Sequence, residues 1–178
     1  MRGVRRLNDS CSYMDKNPMP HNQESQLKLR PTLVPEPLQS RSVFYTLRRN
    51  KEWRKIRETV KLTADGMCEI CGIKRDRYMI CHEDWHYDDK KHIATLVRFM
   101  WICPNCNGVL HLKNLSNPEL LFNVIAHLMR VNEIESEGVF ELLSRAQREY
   151  DERSQHEWTI VITPTLLDQF PILTKLQL

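Results

Sequence analysis

The chain has 178 residues, of which 41% are hydrophobic and 28% charged, with a formal net charge of +3. This length supports one domain with a real core. The net charge is too small to argue for a nucleic-acid partner by itself, and no run approaches the ~18 consecutive apolar residues of a membrane span. The N-terminus, MRGVRRLNDS, is basic but has no apolar segment of the kind a signal peptide needs, so a cytoplasmic protein is expected.

Residues 1–30 are polar and lack a sustained apolar period, which predicts a disordered tail. Met14 and Met19 within it are candidate alternative starts, and Cys11 has no evident role. Pro31, Pro35 and Pro37 then forbid a helix and predict extended chain laid over a domain of residues 31–163. A first helix is expected from about Asn50 to Leu62, with Trp53, Ile56 and Val60 facing inward. Its remaining surface is basic: Arg48, Arg49, Lys51, Arg54, Lys55, Arg57 and Lys61 stand against Glu52 and Glu58. Such a surface is either a solvated helix face or a phosphate-facing patch, for which Arg49, Arg54, Lys55 and Lys61 are the candidate contacts.

After a Cys-x-x-Cys pair, RYMICHEDWHY reads as a strand. Alternation places Tyr78, Ile80, His82, Asp84 and His86 on one face, and Met79, Cys81, Glu83, Trp85 and Tyr87 on the other. Cys81 is expected to be a small buried side chain. DDKK turns the chain into a second strand, HIATLVRFMWIC, making a hairpin. CNGVLHLKN predicts a short helix, and Asn117-Pro118-Glu119 opens another with Leu120, Leu121, Val124, Ile125 and Leu128 as its stripe. A longer helix is expected over Glu137–Arg153, with Phe140, Leu143, Ala146 and Tyr150 inside. EWTIVIT is a strand signal stopped by Pro164, and residues 164–178 are expected to form a C-terminal tail.

Cys68-x-x-Cys71 and Cys103-x-x-Cys106, separated by 31 residues, are the strongest chemical signal. Four thiolates in a tetrahedral array select zinc and leave no open coordination position, so this metal is expected to be structural. A redox role is the alternative, but neither pair sits in a βαβ pattern. Knuckle, hairpin and a second knuckle at a helix start is the order of a treble clef. The expected fold class is α+β, a small zinc-bound hairpin and helix wrapped by further helices.

With CEICG, ICHEDWHYDD and WICPNCNGVLH on the page, the chain resembles the HNH endonucleases, the ββα-metal group. It is most similar to a bacterial and phage subgroup with His-Glu-x-Trp-x-Tyr-Asp in the first strand. VPEPL, AHLMRVNEI and RSQHEWTI extend the likeness over about Val34 to Ile162. The resemblance implies a DNA-cleaving enzyme in which His82 is the general base. It also implies a second, catalytic divalent cation such as Mg²⁺, held by strand and helix side chains. Asp84, Asn107 and His111 are the candidate ligands. Glu83 is a further candidate for orienting the base or binding metal. The chain departs from the family at Asn107, where a histidine is common, and at Cys81, where an acid is common. A hydrogen-bonded core histidine at position 82 is the bland alternative. Two other functions fit the same residues: a nucleic-acid-binding module that has lost catalysis, and a zinc-stabilised protein-interaction domain.

Overall fold

The computed structural model describes residues 27–176 and Leu178. The expectations for residues 1–26, including Cys11, Met14 and Met19, lie outside the described residues. The described chain is α+β, with six α-helices and one three-stranded sheet. No helix among the described residues is long and apolar enough to cross a membrane.

The N-terminal part of the domain begins earlier than the prolines suggested. Leu29 is buried, and its backbone N–H donates to Asn132 Oδ1 at 3.0 Å. A 3-10 turn at Glu36–Leu38 leads to helix α1, Val43–Leu47. Helix α2 follows at Lys51–Thr63, with the Asn50 side chain accepting from the Glu52 N–H as its cap. Trp53, Ile56 and Val60 are its buried residues, as their helical spacing predicts. At its end Gly66, with φ +68°, lets the chain turn back toward the first cysteine pair.

Strand β1 (Ile80–Asp88) pairs antiparallel with β2 (Ile93–Ile102), and β3 (Thr159–Ile162) adds parallel to β2, so β1 is a sheet edge. The register steps from Asp84 opposite Arg98 to Trp85 opposite Leu96, leaving Val97 as a bulge. Asp88 Oδ1 accepts from the N–H groups of Lys90 and Lys91, which fixes the hairpin turn. Arg153 grips the same turn by two hydrogen bonds to the Asp89 carboxylate, at 2.6 and 2.9 Å.

Helix α3 (Pro104–Leu110) starts within the second cysteine pair. Helix α4 (Pro118–Asn132) is capped by Asn117, and α5 (Ser136–Arg153) returns along the domain. Two inner faces differ from the expected ones. In α4 the buried residues are Val124, His127 and Leu128, while Leu120 and Leu121 are exposed. In α5, Val139 and Leu142 join Ala146 and Tyr150 inside, and Phe140 is 74% exposed. The partner surfaces set which stripe is covered, so the apolar residues at the two helix starts are left outside.

The expectation of a tail over 164–178 is corrected. Pro164 ends β3 and opens helix α6 (Pro164–Gln169), and a 3-10 turn follows at Pro171–Lys175. Leu166, Phe170 and Leu173 are buried in the main core, with the Phe170 ring 5.7 Å from that of Phe99. Three apolar side chains at near-helical spacing are what hold this segment down.

Gly108 of α3 packs against Val124 of α4. A Cβ there would lie 2.7 Å from Val124 Cγ2, below any ordinary contact. Gly108→Ala is expected to cost about 1–3 kcal/mol by overpacking. Equilibrium denaturation checks this: a midpoint equal to the parent's would mean that the helices have slack at this crossing.

Candidate functional site

The two cysteine pairs come together although they lie on different elements. The first sits between α2 and β1, where Gly72, with φ +74°, closes a tight turn through its N–H to Cys68 O at 2.8 Å. The second bridges the end of β2 and the start of α3. Glu69 fastens the two, since its own N–H donates to Trp101 O at 2.9 Å and its carboxylate accepts from the Trp101 N–H. All four sulfurs lie within 4.8 Å of one another. Cys68 and Cys106 Sγ are 3.7 Å apart, as are Cys71 and Cys103 Sγ.

Those separations decide what the cluster can hold. A disulfide needs sulfurs about 2.05 Å apart, so the cysteines are free thiols. A zinc ion bound at about 2.3 Å by four sulfurs in a tetrahedron requires edges of about 3.8 Å. The cluster therefore fits a metal ion such as zinc. Burial pushes the Cys71 thiol up to about 11. Hydrogen bonding with Cys103 and Cys68 pushes Cys106 up as well, while bonds from Cys103 and Cys106 pull Cys68 down. Four sulfurs this close, if all ionised, would need a cation among them to offset their charge.

The cluster has a brace that the sequence did not reveal. His127, buried on α4, places Nε2 3.1 Å from Cys106 Sγ, and Arg130 Nη2 donates to its Nδ1 at 2.8 Å. Arginine has only donors, so Nδ1 accepts and Nε2 carries the proton toward the sulfur. Charge-assisted donors of this kind orient and stabilise metal-bound thiolates. The i, i+3 spacing of His127 and Arg130 was available in the sequence. Their aim at Cys106 depends on how α4 packs on α3.

The second group of candidate residues lies beside β1. His82 projects from the strand toward α3, where Asn107 and His111 stand one helical turn apart. The rings of His82 and His111 meet edge to face with centroids 5.1 Å apart. Both line a cleft of about 690 Å³ together with Asn107, Tyr45 and Arg57. Burial, and then the neighbouring His111, hold the His82 ring down to about 4, against the pull of Asp84 and a hydrogen bond with Asn107. Burial lowers His111 as well.

Asp84, on the same face of β1, is engaged by an ion pair. Its Oδ2 accepts from Arg98 Nε at 3.0 Å, and Arg98 also reaches Glu69 at 3.5 Å. Among the described residues the four cysteines are the one group of three or more His, Cys, Asp or Glu side chains converging for a metal ion. Glu83 has a different task from orienting His82. It is buried on the opposite face, and its carboxylate accepts the N–H groups of Val43 and Phe44, at 3.2 and 2.7 Å. Cys81 is buried there too, and desolvation pushes it up to about 12.

The chain matches no family model, no curated protein and no solved structure.

Of the basic candidates on and just before α2, Arg49, Arg54 and Lys61 are exposed and form no ion pair among the described residues. Lys55 is engaged by Glu52 at 3.0 Å. Arg57 is exposed as well, its guanidinium 5.6 Å from the Trp101 ring centre.

The His82 ring gives a prediction with a definite sign. The unfolded chain takes up the proton near 6.5, the folded chain only near 4. Between those values the unfolded state binds more protons, so this ring removes stability as pH falls from about 6.5 to about 4. Histidine NMR is expected to show neutral-ring shifts for His82 from pH 8 down to pH ~5. A titration midpoint near 6.5 would contradict the buried placement.

Proposed function

We propose that the chain is a metal-dependent endonuclease-like protein hydrolysing phosphodiester bonds in DNA, with a treble-clef zinc site as its structural base and a ββα-metal core. The observation that carries this reading is the convergence of His82 with Asn107 and His111 in an open cleft beside the four-cysteine cluster. It is the juxtaposition that the resemblance to HNH endonucleases implies for these positions.

Each residue has a chemical task in this reading. His82 stays neutral near pH 7, so its ring can take a proton from an attacking water. Asn107, beside that ring in the cleft, orients it. His111 and the Asn107 amide would be the donors for a divalent cation, which when bound would supply charge stabilisation at the phosphate. With an imidazole in place of carboxylates, Mn²⁺ or Ni²⁺ suits this donor set better than Mg²⁺. Asp84 stays outside the ligand set, held by Arg98. Arg49, Arg54 and Lys61 supply positive charge for the DNA backbone.

A plasmid-nicking assay with Mg²⁺, Mn²⁺ or Ni²⁺ tests the proposal. His82→Ala is expected to lower nicking about 10²–10⁴-fold, the usual loss of a general base, while zinc content and melting stay at parent values. Equal activity in the parent and the variant would remove His82 from the chemistry. No nicking by the parent with any of the three cations would favour the binding module that lacks catalysis.

A further inference from the structure

Helix α1 presents two aromatic side chains at the mouth of the His82 cleft. Phe44 is 41% and Tyr45 53% exposed, and both line the cleft. Their rings meet edge to face at 5.6 Å, and the Phe44 ring is backed by Trp53 at 5.6 Å. Arg48, one turn on, lays its guanidinium 5.4 Å from the Tyr45 centre and 6.0 Å from that of Phe44. Arg57 and Lys113 line the same cleft.

We propose that Tyr45, with Phe44 and Arg48, is a stacking platform for an unpaired nucleobase, so that the cleft takes a single-stranded segment of DNA. This names the substrate class of the site and rests on the hydrolytic reading above. Three observations carry it. An exposed tyrosine beside an arginine plane is the combination on which bases stack without regard to sequence. The platform is rigid, because the Glu83 carboxylate holds the Val43 and Phe44 N–H groups from the strand that carries His82. Glu83 and His82 are neighbours on the edge strand and both line the cleft, so one short segment positions the base-stacking ring and the histidine. Arg48 and the cleft's Arg57 and Lys113 complement a phosphate backbone leading to the histidines. Exposed aromatics would meet no bases on an intact duplex, whose bases are stacked on each other.

The test measures binding of a fluorescent oligo(dT) of about 12 nucleotides, and of a blunt duplex of the same length, to the full chain without added divalent cation. Tyr45→Ala is expected to weaken oligo(dT) binding about tenfold, the loss of one stacked base, and to leave duplex binding unchanged. Tyr45→Trp is expected to keep the parent's affinity. Oligo(dT) binding indifferent to Tyr45→Ala, or an equal loss for both DNAs, overturns the proposal. The outcome separates from that of the nicking assay. Binding of oligo(dT) through Tyr45 in a chain that nicks nothing upholds the platform and removes the hydrolysis. His82-dependent nicking with Tyr45 irrelevant does the reverse.

Discussion

The convergence of four sulfurs is the constraint on which the rest of this structure depends. It ties the turn before β1 to the turn after β2, closing the open end of a hairpin whose other end is held by Asp88 and Arg153. Because the second cysteine pair opens α3, the same knot fixes where that helix starts and which way it runs. Asn107 and His111 face β1 as a consequence. The sheet has only three strands, and β1 is an edge, so pairing to a single neighbour would leave the strand free to shift. A metal ion bound by four thiolates supplies on the order of ~10 kcal/mol of apparent folding free energy, well above what one sheet edge contributes.

The alternation of β1 divides two kinds of work between neighbouring residues. His82 faces α3. Glu83 faces α1 and gives up its carboxylate oxygens to backbone N–H groups, and both residues line the cleft, which runs round this edge strand. Burial pushes Glu83 above the ordinary carboxylate range, and the N–H groups of Phe44 and Val43 oppose that shift. A buried acid satisfied in this way is a joint between elements, and the strand histidine inherits its rigidity.

Much of this was legible in the sequence, for reasons that differ by residue. Trp53, Ile56 and Val60 follow a period set by one helix, and the knuckles follow a spacing set by one metal ion; both signals are local. The meeting of His82 with His111 could be expected because strand parity and the helix start were both readable. What was not legible depended on tertiary packing. Phe140 has helical spacing but faces away, since Val139 and Leu142 meet the neighbouring elements. His127 reaches Cys106 only through the crossing at Gly108. Asp84 shares the parity of His82, yet Arg98, its cross-strand partner, takes its carboxylate. The segment after Pro164 carries too few residues to show a period, although Leu166, Phe170 and Leu173 complete the core.

The central claim is that a metal ion in the four-cysteine cluster holds the histidine pair together. Elemental analysis of the purified chain, followed by chelation while the His82 and His111 ring signals are observed by NMR, tests it most directly. The account predicts one zinc per chain, and loss of the His82–His111 contact together with cooperative melting once the zinc is removed. A metal-free chain with the same melting behaviour and the same ring contact would contradict it.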